Sequence, residues 1–500
     1  MSNKNQKQTS TKISRRSVLK GAAVAAAAGM IPFKMNDAYA AVAPDKWDEE
    51  ADILVIGAGG AGFAAGLEAA NTGAKVIILE KLAYIGGSSI ICGAGLAFAG
   101  TDIQIANNVN DSNELFYKDF MDVGKNANIP ELVKAYVDNQ LETYNWLKDA
   151  GVEFVKNKVT VAAGTSVPRV HWFSPPQLIK ALSTACEAKG VKLILETAAQ
   201  KLALDPKTGN IKGVFAVQGK KNITYGAKKG VILASGGFSL NKELLAKFAP
   251  PLVKAKTIVG LGSHGDGLKM AWACGADIQD MPHVKATFGF SLNPKTMADD
   301  FFLVYYCGAI IVNKEAKRFV NESLSYKLVA DAALVQTDAV GYQLFDQPIC
   351  DEAIRRHEAR MTNLLKRDIV SAPTLAELAK LIGIDSATLE ATVKEYNENV
   401  AKGVDPQFGR TTQTADYGKP SEIKTGPFYA WPSTAVLIST YGGILINGKA
   451  QVLNVYGEPI PGLYAAGEIT GGVHGAAYVS GTAVGKALIF GRIAAKNALS

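Results

Sequence analysis

Ala51-Asp52-Ile53-Leu54-Val55-Ile56-Gly57-Ala58-Gly59-Gly60-Ala61-Gly62 is a short apolar run that breaks directly into a cluster of glycines. Its first half does not alternate polar and apolar residues, the pattern of a strand buried on both faces of a parallel sheet. The glycines have separate mechanical tasks. Gly57 lets the chain turn, Gly59 lets the backbone approach a pyrophosphate, and Gly62 lets the next helix pack on the sheet. The Ala-rich stretch Phe63 to Thr72 reads as that helix, whose N-terminus offers N–H groups and a positive dipole end to phosphates, and Gly60 and Ala61 are expected among the cofactor contacts. A second apolar strand, Lys75 to Leu79, ends in Glu80 and Lys81; Glu80 lies 23 residues after Gly57, placed to bond an adenosine ribose. This order predicts an α/β chain opening with a Rossmann-like dinucleotide unit.

Later turns extend the site. Gly86-Gly87-Ser88-Ser89 is a small hydroxyl-bearing loop placed to follow a pyrophosphate and ribityl chain. Val231 to Leu233 run as a strand into Ala234-Ser235-Gly236-Gly237, and Gly462 to Gly467 repeat the logic before Glu468, which is expected to bond ribityl hydroxyls. Together these turns favour FAD over NAD.

Ser14-Arg15-Arg16-Ser17-Val18-Leu19-Lys20 is a twin-arginine pattern, followed by an apolar run, Gly21 to Phe33, and by Ala38-Tyr39-Ala40, a small-residue cleavage pattern. The run is shorter than the ~20 residues a spanning helix needs. Twin-arginine export to the periplasm is therefore expected, and the chain is not expected to be an integral membrane protein. Residues 1–40 hold seven Lys/Arg and one Asp, so they carry six of the seven net positive charges. The mature chain is nearly neutral, and no nucleic-acid partner follows from its charge. Five scattered cysteines and five histidines show no metal spacing, so no metal site is expected.

The chain resembles the fumarate reductase/succinate dehydrogenase flavoprotein superfamily, in its soluble periplasmic branch. The likeness rests on Gly308-Ala309-Ile310-Ile311-Val312-Asn313, Lys317-Arg318-Phe319-Val320-Asn321-Glu322, Tyr441-Gly442-Gly443 and Gly471-Gly472-Val473-His474-Gly475. It implies a Rossmann-like FAD-binding domain interrupted by a capping domain of α+β type. The expected division is a signal peptide at 1–40, the FAD domain at 41–274 and 441–500, and the cap at 275–440. It implies one non-covalent FAD, with Gly93, Gly95, Ala199, Asp266, Gly481, Ala483 and Val484 completing the contacts named above.

At the substrate positions the chain departs from the fumarate pattern. Where those enzymes carry the proton-donating Arg after Arg-Phe-x-Asn-Glu, this chain has Tyr326, and the carboxylate-binding Arg after Gly-Val-His-Gly corresponds to Tyr478. Phe302 and Tyr305 replace Glu and Arg, Met281 replaces a His, and Ile438-Ser439-Thr440-Tyr441 replaces a His-His-Thr-Met stretch. Desolvating a dicarboxylate without those cations costs several kcal/mol per charge. Fumarate is thus a poor candidate, and a small apolar or aromatic carbonyl compound a better one. Members of the superfamily acting on 3-ketosteroids also use tyrosines here. By that resemblance Tyr326 exchanges a proton beside the carbonyl, while Tyr478, with the N–H of Gly481 or Thr482, polarises its oxygen. Met281, Phe302, Tyr305, Ser439, Tyr441 and Gly481 are the expected substrate lining. Tyr306 is a further candidate neighbour, Arg318 is expected to be structural, Arg169 and His171 are weak lining candidates, and Lys285 is a possible remaining cation in the cap.

No second nucleotide motif and no Cys-x-x-Cys-His haem motif occurs, so electrons are expected to pass through a separate cytochrome c or quinol-linked protein. The leading expectation is a periplasmic ene reductase. The same site run in reverse is a ketosteroid-type dehydrogenase, and a flavin electron-transfer protein without C=C chemistry is the alternative of another class.

Overall fold

The computed structural model describes residues 40–413 and 417–500; the twin-arginine segment lies outside the described residues. The opening apolar run forms the strand Glu49–Ile56, with Ile53, Leu54 and Val55 fully buried. Its parallel neighbours are Val76–Leu79 on one edge, in register Ile53 with Val76, and Lys221–Leu233 on the other, in register Ile56 with Leu233. Lys192–Ile194 extends the parallel set beyond Val76–Leu79. These belong to a nine-stranded sheet. Lys221–Leu233 uses its other edge twice. Its first half pairs antiparallel with Ile211–Gln218, and its last residues pair parallel with Pro459–Ala465. The sheet is therefore completed by a strand from near the end of the chain, brought in after an excursion of some two hundred residues.

The turn after Ile56 behaves as its glycines require. Gly57 has φ +110°, and a Cβ there would lie 2.5 Å from the Ala234 carbonyl oxygen. A Cβ on Gly62 would lie 1.8 Å from the Gly57 carbonyl oxygen, so the helix Gly60–Asn71 can follow the turn this tightly only with glycine there. The C-terminal helix Thr482–Leu499 packs against it through small residues; a Cβ on Gly491 would lie 2.5 Å from the Ala61 carbonyl oxygen.

The excursion builds a second, six-stranded sheet with helices around it. Its centre is the 13-residue strand Phe428–Thr440, antiparallel to Val284–Ser291, Val340–Phe345 and Val370–Ala372. Lys256–Thr257, earlier in the chain than the expected cap boundary, pairs with it in parallel. The helix Tyr326–Leu334 follows the Arg-Phe-Val-Asn-Glu motif, with Tyr326, Lys327, Val329, Ala330 and Ala333 buried. Arg318 is structural. It pairs with Glu322 at 2.7 Å and Asp405 at 2.9 Å, and its guanidinium lies 5.1 Å from the ring centres of Tyr396 and Phe408. All five cysteines are free thiols.

Candidate active site

A continuous cavity runs from Glu80 and Lys81, past the glycine turns, to Tyr326 and Tyr478, with walls from both sheets. At its first end Glu80 is fixed by two main-chain donors, the N–H of Ala58 at 2.9 Å and of Leu82 at 3.0 Å. Each carboxylate oxygen keeps a lone pair for a ribose hydroxyl. Lys81 pairs with Asp266, and Ala199 lies in the same wall. Gly59, Ala61, Gly87, Ser88 and Ser89 line the next stretch, where the helix beginning at Gly60 starts. The buried Ser235 and Ser263 hydroxyls face this cavity without a protein partner. A buried hydroxyl left unsatisfied costs about 1–3 kcal/mol. Such an orphan is accounted for by a polar ligand, and a Cβ on Gly59 would meet only the Gly86 carbonyl, at 3.9 Å, which leaves that backbone open to close approach. The residues present fit a bound dinucleotide.

Gly93, Gly95, Gly236, Glu468, Gly481, Ala483 and Val484 also line the wall, as does Gly57. Gly60, Gly62 and Gly237, expected as contacts, do not. The Gly60 N–H is capped by the Ser89 hydroxyl at 3.2 Å, Gly62 faces the Gly57 carbonyl, and Gly237 sits behind Thr440 and Glu468. Glu468 accepts the Thr440 N–H at 2.8 Å, and burial raises its pKa. Lys486 donates to the Thr470 carbonyl at 2.9 Å, and burial pushes its pKa down to about 8.

At the other end stand the phenols. The Tyr326 hydroxyl donates to the Tyr478 hydroxyl at 2.8 Å and lies 2.9 Å from Ser480 Oγ. Burial is the main cause raising the pKa of Tyr326, against the lowering by its bonds to Ser480 and Tyr478; Tyr478 is pushed well above the ordinary phenol value, again chiefly by burial. Both stay protonated at neutral pH. Tyr441 lies 5.5 Å from Tyr478, ring centre to ring centre, and its buried hydroxyl has no protein partner. His474 packs edge-on against both rings, and burial pushes its pKa far down, so it is a neutral imidazole. The ammonium of Lys327, fully buried, lies 5.6, 5.6 and 5.3 Å from the ring centres of Tyr326, Tyr441 and Tyr478, and donates to Thr287 Oγ1. The N–H of Thr482 is taken by the Val479 carbonyl at 3.2 Å, so Gly481, in the wall, is the better main-chain donor.

Phe302, Ser439 and Tyr441 are in the wall with Tyr326, Tyr478 and Gly481. Tyr305 and Met281 are not. In the tight turn Val304–Cys307 Tyr306 faces the cavity while Tyr305 turns into the core, 6.1 Å from Phe288, and Met281 is buried beneath Gly442. Arg169 and His171 are likewise behind the wall. Arg169 pairs with Asp111 and Asp119, and His171 is bonded to Thr101 Oγ1 and the Arg169 carbonyl. The side chain of Lys285 lies outside the described residues. Sequence reasoning missed Ser480, Lys327, His357 and Arg360. Ser480 had a signal, since in an extended Tyr-Val-Ser segment the first and third side chains share a face. Lys327, beside Tyr326 in a helix, had none.

The FAD binding domain profile matches residues 52–484, and a twin-arginine translocation signal profile matches residues 12–32. The chain belongs to the FAD-dependent fumarate reductase/succinate dehydrogenase flavoprotein superfamily, as an oxidoreductase acting on CH–CH bonds, and is exported to the periplasm by the twin-arginine pathway. Among the described residues no helix is long and apolar enough to cross a membrane. It is similar to the fumarate reductase (cytochrome) of Shewanella frigidimarina, 34% identical over 453 residues, covering 89% of this chain and 76% of that one. The vinyl phenol reductase of Lactiplantibacillus plantarum is 29% identical over 448 residues, covering 83% and 89%. The crystal structure of 3-ketosteroid-delta4-(5alpha)-dehydrogenase from Rhodococcus jostii RHA1, in complex with 4-androstene-3,17-dione, matches with TM-score 0.76 and 28% identity over 91% of this chain and 98% of that one.

Proposed function

We propose that this protein reduces a carbon–carbon double bond conjugated to a carbonyl in an apolar or aromatic substrate, with Tyr326 as the proton donor. The observation that carries the reading is the hydrogen-bonded set Tyr478–Tyr326–Ser480 in a wall of Phe301, Phe302, Tyr306 and Tyr441. The contacts above would hold FAD without a covalent bond, and the flavin, once reduced by the electron donor, would supply a hydride from N5 for the β-carbon. The chain's residues do the rest. The Gly481 N–H and the Tyr478 hydroxyl hold the carbonyl oxygen, where negative charge develops as an enolate. Tyr326 gives its proton to the α-carbon, so one hydride and one proton saturate the bond. The Lys327 ammonium, over the same three rings, favours the charge left on the phenol. Ser480 and Tyr478, at hydrogen-bond distance, are the groups through which Tyr326 regains its proton.

Lys327 is not in the cavity wall and donates to Thr287, and Lys486, which is, donates to the Thr470 carbonyl, so two carboxylates find at most one lysine and no arginine at this end. His474 is neutral, and Tyr326 and Tyr478 stand where the fumarate enzymes have arginines. Fumarate is therefore not the proposed substrate, although the relative from Shewanella frigidimarina is a fumarate reductase. That relative is named for a cytochrome, and a separate cytochrome c or quinol-linked protein is the proposed electron donor here. The 3-ketosteroid dehydrogenase in complex with 4-androstene-3,17-dione supports a second reading, in which the same residues desaturate a bond beside a ketone.

The test is anaerobic. The flavin is reduced, enones and aryl acrylates are added, and reoxidation is followed near 450 nm. Fast reoxidation by an enone is the expected result. Silence there, with bleaching of the oxidised flavin by saturated ketones, establishes the dehydrogenase direction. Silence both ways refutes C=C chemistry.

A further inference from the structure

The helix Gln347–Arg367 carries four arginines, and three of them have acidic partners. Arg355 and Arg356 pair with Glu352, and Arg367 pairs with Asp300 and Asp368. Arg360 pairs with no carboxylate among the described residues, yet it is partly buried and stands in the cavity wall with His357. The acidic group that bears on it, Asp299, is outside ion-pair distance and accepts the Thr296 hydroxyl at 3.0 Å. The helix is broken at His357, with φ −145° and ψ 53°, so the residues after the break do not continue the face that carries Arg355 and Arg356. His357 packs edge-on against Phe302 at 5.1 Å, and Phe301 against Tyr326 at 6.2 Å. Phe301 and Phe302 thus stand in the same cavity wall, the one against Tyr326 and the other against His357, three residues before Arg360. A guanidinium left partly desolvated without a counter-ion is unfavourable, and an anion that reaches it gains a charge-assisted, bidentate hydrogen bond.

We propose that Arg360 receives an anionic group, a carboxylate, carried by the substrate at the end remote from its reacting double bond. This rests on the ene-reductase reading of the same cavity and narrows it. The substrate is a monoanion whose conjugated carbonyl lies at Tyr478 and Gly481, whose aromatic body lies along Phe301 and Phe302, and whose carboxylate lies at Arg360. The fumarate arrangement differs, because there the charge is conjugated to the double bond.

The probes are 4-(3-oxobut-1-enyl)benzoate, which has a remote carboxylate, its neutral methyl ester, and trans-cinnamate, whose carboxylate is conjugated. With the holoprotein, kcat/KM for the acid exceeds that for the ester by about tenfold or more, mainly through KM. Arg360→Gln brings the acid-to-ester ratio of kcat/KM to about one, and Arg360→Lys restores part of it. The change in flavin absorbance on titrating the oxidised holoprotein with the acid gives a Kd that weakens by a similar factor in Arg360→Gln. Equal use of acid and ester by the native protein overturns the proposal, as does a preference that survives Arg360→Gln or a dependence on Arg360 seen for cinnamate alone. If neither probe is reduced but acid binding still depends on Arg360, the subsite stands and the ene-reductase reading fails. If acid binding is also indifferent to Arg360, the subsite falls as well.

Discussion

Replacing Tyr326 with Phe removes one hydroxyl and little else. The ring keeps its contacts with Phe301 at 6.2 Å and Tyr478 at 6.3 Å. Two hydrogen bonds are lost, to Tyr478 and to Ser480, at about 1 kcal/mol each. Tyr478 and Ser480 are both cavity-wall residues, so water can replace the missing partner. A folding cost of about 2 kcal/mol leaves a typical protein folded, given a usual stability of roughly 5–15 kcal/mol. The kinetic cost is larger. A positioned general acid is worth about 10²–10⁴-fold, or roughly 3–5 kcal/mol of barrier. Tyr326→Phe should therefore retain full FAD content, accept electrons at the native rate, and lose at least about a hundredfold in single-turnover reoxidation near 450 nm. Ser480→Ala should lose about tenfold, since Tyr478 still bonds the acid. Reoxidation of Tyr326→Phe within threefold of the native rate, by a substrate that both proteins bind, would refute the proton-donor assignment.

Arg318→Met tests the cap's ionic core. It removes the cation between Glu322 and Asp405, leaving Arg410 3.4 Å from Glu322 and main-chain N–H donors to both carboxylates, so a loss of about 3–5 kcal/mol is expected, read in a chain of this length as a fall in Tm of roughly 3–5 °C. A Tm within 2 °C of native would mean that Arg410 alone suffices. Acid should also destabilise the protein. Burial pushes the pKa of His171 down to about 4, while the unfolded chain takes up the same proton near 6.5. The unfolded state binds more protons between these values, so stability is full above about pH 6.5 and falls as pH drops toward 4, by on the order of 3 kcal/mol from this residue. His171→Gln should flatten the fall of Tm across that window; an unchanged slope would place the acid sensitivity elsewhere.

The glycine turn, the two strands around it and Glu80 were legible from residues alone, because each task there is local. A positive φ, a backbone approach and a carboxylate at a strand end depend on near neighbours in the chain. The tyrosines at 326 and 478 were legible only against the family pattern, since nothing in their own surroundings marks a phenol as an acid. That they touch was decided in three dimensions. The bond between them joins residues 152 apart, on the helix Tyr326–Leu334 and on the segment leading into the C-terminal helix. Tyr305 and Tyr306 show the same division at close range. Neighbours of identical type are separated into core and cavity by one tight turn whose direction is set by packing against Phe288 and Gln343. Gly237 lies off the cavity wall because Thr440 and Glu468, far from it in the chain, cover it. Arg360 was hidden for the converse reason. Its helix reads as an ordinary charged surface helix, and only the break at His357 parts it from the paired arginines. The sequence by itself thus determined the export route and the flavin unit. Which phenols pair, which side chains face the cavity and where, among the described residues, Arg360 stands without a carboxylate partner came from tertiary packing, because those properties belong to distances between segments that share no local pattern.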